Sequence, residues 1–291
     1  MTTQDTTAPA AAAGTITLSG EFTVNRMGYG AMRITGPGIW GEPRDRDEAK
    51  RVLRRALDLG VDFIDTADAY GPDTSENIIA EALYPYPSGL VIATKGGQTR
   101  PGPDDWVPNG RPDYLRKAID GSLKRLRLDH IDLYQLHRPD RTVPYAESVG
   151  TLVDLKNEGK IRLIGISNVT MDQLAIAQSL TPVASVQNRY NLEDRGSEDV
   201  LQSCQAQGIA FIPWGPLAAG PLTTSRGALG QVAKEHGVTP AQVALAWLLQ
   251  RSPAMLVIPG TSRVSHLEEN AAAAALQLTP DDVAQLDDIA G

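Results

Sequence analysis

The chain has 291 residues, with 27 Lys+Arg against 35 Asp+Glu and a formal net charge of −8. That acidic balance argues against nucleic acid and anionic membranes as partners, and no apolar run reaches the roughly 18 residues that span a bilayer. The single cysteine, Cys204, rules out an internal disulfide, argues against a cysteine-based metal site and fits a reducing, cytoplasmic setting.

Residues 1–14 carry Asp5 and no basic stretch, so they read as a disordered tail and not as a signal peptide. Thr15–Leu18 and Phe22–Val24 flank Ser19-Gly20-Glu21, the pattern of a short hairpin. From there, short apolar runs alternate with helical spacing. Strands are expected at Arg26–Met32, Val61–Thr66, Leu90–Lys95, Ile131–His137, Ile161–Ser167, Ala184–Asn188, Ala210–Trp214 and Met255–Pro259. Between them, Asp47–Leu59 places Val52, Leu53, Ala56 and Leu57 on one face and stops at Gly60. Arg111–Leu126 repeats Leu115, Ala118, Ile119, Ser122, Leu123 and Leu126 at three- and four-residue steps. Thr239-Pro240 and Thr279-Pro280 each pair an N-cap with proline at the first helical position. Gly96–Gly110 and Gly215–Gly230 read as long functional loops. Eight βα alternations without a linker predict one α/β domain over residues 15–291, a (β/α)8 TIM barrel. An open doubly wound sheet would also alternate, but the strand count and length favour the barrel.

In a barrel, chemistry collects at the C-terminal ends of the strands. Those ends read Asp65, Lys95, His137, Ser167-Asn168, Gln187 and Trp214. Val61, Phe63 and Asp65 share one face of their strand, as do Val91, Ala93 and Lys95, and Ile131, Leu133, Gln135 and His137. If those faces point inward, an acid, a base and an imidazole meet at one mouth, and Tyr70 follows on the first loop. Any one of these alone would read as a structural ion pair or a buried histidine; all of them at successive strand ends read as a site.

The runs Asp62-Phe-Ile-Asp-Thr-Ala-Asp-Ala-Tyr70-Gly71, Ala93-Thr-Lys95, Asp132-Leu-Tyr-Gln-Leu-His137 and Ile164-Gly-Ile-Ser-Asn168 resemble the aldo-keto reductase family, and Asp132–Asp140 with Ile258-Pro-Gly-Thr261 resemble its bacterial, pyridoxal reductase-like members most. The resemblance runs from about Thr15 to the C-terminus. It implies a (β/α)8 barrel whose bottom is closed by an N-terminal hairpin, and hydride transfer between NADP(H), or less readily NAD(H), and a small-molecule carbonyl. The family's tetrad carries over as Asp65, Tyr70, Lys95 and His137. Tyr70 would be the general acid, with Lys95 lowering its pKa, Asp65 holding Lys95 charged and His137 orienting the carbonyl. No metal is implied.

The same resemblance assigns cofactor contacts. Ser167 and Asn168 match the pair that holds the nicotinamide carboxamide, with Gln187 beside them, and Asp65 is counted among the cofactor contacts. Trp214 stands where relatives carry a stacking tyrosine. Gly30, Ala31 and Met32 match the first-strand contacts, and Gly215, Pro216 and Leu217 the start of the pyrophosphate strap. Gly260, Thr261, Ser262, Arg263, His266, Glu269 and Asn270 match the adenosine-phosphate segment. Two positions depart from the pattern: Gly260 where many relatives have lysine, and His266 where many have arginine. Arg263 is then the cation expected to face the 2′-phosphate of NADP(H). Trp40 and Trp106, with Tyr70 and His137, are the expected substrate-pocket residues.

Gly36-Pro-Gly-Ile-Trp-Gly41 matches G-x-G-x-x-G, but Pro37 and Trp40 do not suit a tight pyrophosphate turn and the next helix begins near Asp45. It reads as a loop at the mouth. Trp247 reads as core, His130 and His236 as surface, and Cys204 as unreactive. The reading of a different class is a cofactor-binding regulatory or auxiliary subunit, as some relatives are; the complete tetrad argues for an enzyme.

Overall fold

The computed structural model describes residues 8–217 and 227–290. Thr15–Leu18 (β1) and Phe22–Asn25 (β2) pair antiparallel as the expected hairpin. The next strands are Tyr29–Gly30 (β3), Phe63–Asp65 (β4) and Val91–Gly96 (β5), then a small antiparallel pair, Gln98–Gly102 (β6) and Asp105–Pro108 (β7). Ile131–Leu136 (β8), Ile161–Ser167 (β9), Ser185–Gln187 (β10) and Ala210–Phe211 (β11) follow. Strands β3, β4, β5, β8, β9, β10 and β11 form one seven-stranded parallel sheet in that spatial order. Helices fill the intervals: Arg46–Asp58 (α1), Thr74–Leu83 (α2), Pro112–Leu126 (α3), Tyr145–Asn157 (α4), Met171–Leu180 (α5), Glu198–Gln207 (α6), Ala228–His236 (α7), Pro240–Arg251 (α8), Val264–Ala272 (α9) and Pro280–Asp287 (α10). No helix among the described residues is long and apolar enough to cross a membrane.

The eighth expected strand, Met255–Pro259, builds no ladder. It makes single parallel bridges instead, Met255 to Phe211 on one side and Val257 to Met27 on the other. Pro259 has no N–H to give, and the Met255 carbonyl accepts from the Arg26 guanidinium at 3.0 Å. Even so, Leu256 N donates to Phe211 O and Gly28 N to Val257 O, so both sheet edges are hydrogen-bonded to this segment and the sheet curls shut. The first expected strand, Arg26–Met32, shortens to β3 because Ala31–Ile34 turns into a 3-10 helix. The seventh, Ala210–Trp214, shortens before Pro213.

Side-chain alternation sorts the sheet into two layers. Phe63, Val91, Ala93, Leu133, Leu163, Ala184, Ala210, Ile212, Leu256 and Ile258 form one buried cluster, together with Leu18 and Val24 of the hairpin. The opposite parity, with Ile64, Ile92, Tyr134, Ile164 and Val186, packs against Val52, Leu53, Leu115, Ile119 and Leu152 of the helices. Each buried Val, Leu, Ile or Phe among them contributes roughly 1.5–3 kcal/mol.

Two expectations need correction. Part of the tail is ordered: Pro9–Ala13 is a 3-10 turn, Ala10 is fully buried and its N–H reaches Leu59 O at 3.0 Å. Small alanines let this segment pack against the end of α1, and the expected disorder of residues 1–7 lies outside the described residues. Gly96–Gly110 is not an open loop, because β6 and β7 turn back on each other around Pro103 and Asp104, the latter in the left-handed region at φ 57°.

Candidate active site

The inward parity that begins with Phe63, Ala93 and Leu133 continues to Asp65, Lys95 and Gln135, so three polar side chains rise from the apolar layer. Lys95 is fully buried, and its Nζ donates to Asp65 Oδ1 at 2.5 Å, to Thr66 O at 2.8 Å and to the Tyr70 hydroxyl at 3.4 Å. The other Asp65 oxygen accepts the amides of Gln135 and Gln187, both at 2.9 Å. A buried ion pair is tolerated only when its remaining lone pairs are satisfied, and these two amides do that. Gln135 was missed as a site residue; its parity with Leu133 is the signal that could have marked it.

Tyr70 sits on the turn after β4, 7% exposed, with the Lys95 ammonium 5.1 Å from its ring centre. Burial raises its phenol above the ordinary value; Lys95 pulls the other way and Asp65 adds to the rise. The expected lowering by Lys95 is therefore present but outweighed, because desolvation of a phenolate here exceeds the attraction. Burial would depress Lys95, yet Asp65 and Tyr70 together leave it above its ordinary value, so it is a cation at neutral pH.

His137 lies edge-on to Tyr70, ring centres 5.9 Å apart. Burial, then Lys95, Arg138 and Arg100, hold its imidazole well below the usual range, so it is neutral at pH 7. Its Nδ1 is buried with no partner among the described residues. Trp106, on β7, completes an aromatic triangle, 6.3 Å from both rings. Trp40 is half-buried and its backbone bridges Gly71, so it stands beside the tyrosine loop, not among the three rings. Sequence reasoning also missed Arg100, whose guanidinium lies 3.6 Å from the Trp106 ring centre.

Around the mouth, Ser167 Oγ donates to Gln187 O at 2.8 Å, and Asn168 adopts φ 59°, a left-handed conformation asparagine tolerates. Asn168 donates to His137 O at 3.1 Å and accepts the Trp214 indole N–H at 3.0 Å. Half-buried Trp214 is thus anchored beside the amides. Gly215, Pro216 and Leu217 follow it, and the rest of that loop as far as residue 226 lies outside the described residues. Gly30 packs on Ile258 and Gly260, while Ala31 is buried. Met32, Arg33, Arg44, Ser262 and Arg263 line one cavity of about 650 Å³. Arg33 and Arg44 were not foreseen there. Thr261 and Asn270 are buried; His266 and Glu269 are exposed along α9.

Of the remaining readings, Trp247 as core is matched, and His236 is less exposed than the surface position expected of it. A Cβ on Gly36 would lie 2.3 Å from Trp40 O, so that glycine serves its own loop, and Asp45 caps α1 by accepting from Glu48 N. Trp247 is buried and stacked on Tyr190, and burial pushes the Cys204 thiol up to about 12. His236 is only partly exposed, paired with Asp282 at 2.9 Å.

Compared with known proteins, residues 26–290 match the aldo/keto reductase family. The chain belongs to that family. An uncharacterized oxidoreductase of Schizosaccharomyces pombe is 50% identical over 279 residues, 96% of this chain and 90% of the relative. Pyridoxine 4-dehydrogenase of Escherichia coli is 45% identical over 278 residues, covering 93% and 96%. Among solved structures, an aldo-keto reductase from Klebsiella pneumoniae in complex with NADPH superposes with TM-score 0.79 at 28% identity, covering 94% of both chains. In this family member, the curled parallel sheet fits the (β/α)8 barrel that the family implies.

Proposed function

We propose that this chain reduces an aldehyde or ketone to the alcohol with NADP(H), with Tyr70 as general acid, and that β1 and β2 plug the floor of the catalytic barrel. The observation that carries this reading is the buried line Asp65–Lys95–Tyr70 with a neutral His137 against the tyrosine ring. The cofactor fits the residues present. Trp214 offers a flat face beside Asn168, and Arg33, Arg44 and Arg263 line a cavity together with Asp45, Glu48 and Asp104, none of the three arginines forming an ion pair among the described residues. Gly30, Ala31 and Met32, Gly215 to Leu217, and Gly260 to Asn270 would hold the rest of it. Bound NADPH supplies the hydride.

The chain's own groups then manage the proton. As charge builds on the carbonyl oxygen, the Tyr70 hydroxyl delivers its proton, and Lys95, already cationic, offsets the phenolate left behind. Asp65, clamped by Gln135 and Gln187, keeps Lys95 charged and stationary. A buried orphan N–H is costlier than a buried orphan acceptor, so the His137 proton belongs on Nε2, which leaves Nδ1 bare and lets Nε2 donate to the substrate oxygen. The aromatic triangle of Tyr70, Trp106 and His137, with Trp40 nearby, suits a flat aromatic carbonyl. The Escherichia coli relative is named a dehydrogenase of pyridoxine, an aromatic alcohol, and oxidation of such an alcohol gives a flat aromatic carbonyl.

The test is a panel of aromatic and aliphatic aldehydes with NADPH oxidation as readout. Tyr70→Phe should keep the fold and NADPH binding while cutting turnover by roughly 10²–10⁴-fold, the usual worth of general acid catalysis. Wild-type turnover in that variant would sink the assignment; NADPH binding without turnover of any carbonyl would favour an auxiliary subunit.

A further inference from the structure

Arg100 is 8% exposed, yet no carboxylate pairs with it among the described residues. An ion in that position is expensive unless its donors are satisfied. Here backbone carbonyls do it. Nη1 donates to Ile39 O at 3.0 Å and to Ala69 O at 3.1 Å, Nη2 to Gly38 O at 2.9 Å, and Nε to Asp105 O at 3.0 Å. The guanidinium plane is also flanked by two indoles, Trp106 at 3.6 Å and Trp40 at 5.6 Å from the ring centres.

Those contacts join three segments far apart in sequence: the loop before α1, the turn that carries Tyr70, and the β6–β7 hairpin that carries Trp106. Ala69, whose carbonyl is bound, immediately precedes Tyr70. Trp106, whose face is stacked, lies edge-on to both Tyr70 and His137. One planar cation therefore ties the turn that carries Tyr70 to Trp106. Lysine cannot replace it, since an ammonium has three donors and no plane.

We propose that Arg100 is a positioning residue for carbonyl reduction: by clamping the Tyr70 turn and holding Trp106 as the outer wall, it sets the preference for flat aromatic carbonyls over small aliphatic ones. The inference rests on the carbonyl-reductase reading. The wall exists without substrate, so part of the test needs no turnover.

The first arm measures acrylamide quenching of Trp106 in the full chain, taken as the difference between proteins with and without Trp106→Phe. Arg100→Lys and Arg100→Met should each raise the Trp106 quenching constant about twofold or more. The second arm measures kcat/KM for benzaldehyde and for propanal with NADPH. The benzaldehyde-to-propanal ratio should fall roughly tenfold in Arg100→Met, within the range of a desolvated cation–π contact, with NADPH affinity unchanged. In a Trp106→Ala background the same substitution should change the ratio by less than about twofold, because the coupled partner is gone. Unchanged quenching, equal losses for both aldehydes, or a Lys variant indistinguishable from wild type would each overturn the proposal. Absence of turnover in the wild-type chain would instead fail the carbonyl-reductase reading, and the quenching arm would still decide whether Arg100 holds Trp106.

Discussion

A Cβ on Gly260 would come within 2.7 Å of the Gly30 carbonyl oxygen, and one on Gly30 within 2.6 Å of Ile258 O. The first and last barrel segments thus touch backbone to backbone at the position where the family resemblance implies a lysine. Installing that lysine should not restore a phosphate contact here. Gly260→Ala is expected to destabilise the protein by about 1–3 kcal/mol, the range for overpacking, and Gly260→Lys at least as much, without tighter NADPH binding. Denaturant unfolding and NADPH titration check both halves.

The phosphate charge must then be met from elsewhere, and Arg263 shares its cavity with Arg33 and Arg44. Charge-assisted hydrogen bonds contribute about 1.5–3 kcal/mol, or about 10- to 150-fold in affinity. Arg263→Ala should weaken NADPH by about that factor and leave NADH nearly unchanged. If Arg33 and Arg44 share the load, the single loss will sit at the low end and the triple variant will exceed it. Equal losses for both cofactors would refute a 2′-phosphate role.

His137 is held well below the ordinary histidine range and Tyr70 above the ordinary phenol range, in both cases chiefly by burial. Protonating His137 would bury a second positive charge near Lys95, and deprotonating Tyr70 would remove the acid. The kcat profile at saturating NADPH should therefore stay flat through about pH 6.5, where a free histidine titrates, and fall only above about pH 10. For stability the sign follows from proton counting. The unfolded chain protonates His137 first, so this group destabilises the fold as pH drops below about 6.5. An acid limb centred near 6.5 that vanishes in His137→Asn would contradict the burial argument.

Trp214 is tied to Asn168 and lies under the Arg189 guanidinium, 5.7 Å from the ring centre. If its face meets the nicotinamide, NADPH should quench part of the tryptophan emission. Trp214→Ala should abolish most of that quench and weaken NADPH by roughly 1 kcal/mol, about fivefold. A quench that survives intact would move the contact to Trp40, Trp106 or Trp247.

Strand parity and end residues made most of this site legible in the linear chain. Period-two alternation is local, so Asp65, Lys95 and His137 could be placed on inward faces before any fold was known. The helix starts at Thr239 and Thr279 were equally local, since a cap is a contact between neighbours. What tertiary structure alone decided involves residues distant in sequence. Met255–Pro259 reads as a strand, yet the Arg26 side chain takes the Met255 carbonyl and only bridges remain. Lys95 was expected to lower the Tyr70 phenol; burial, which depends on every surrounding element, raises it instead. Arg100 carries no motif and stands in what reads as a loop, and its importance lies in carbonyls 31, 61 and 62 residues away. Gly260 reads as a lost lysine until its backbone meets Gly30. Short-range periodicity can be read from a chain because each residue carries its own share of it; desolvation and backbone contact cannot, because they belong to the space between segments.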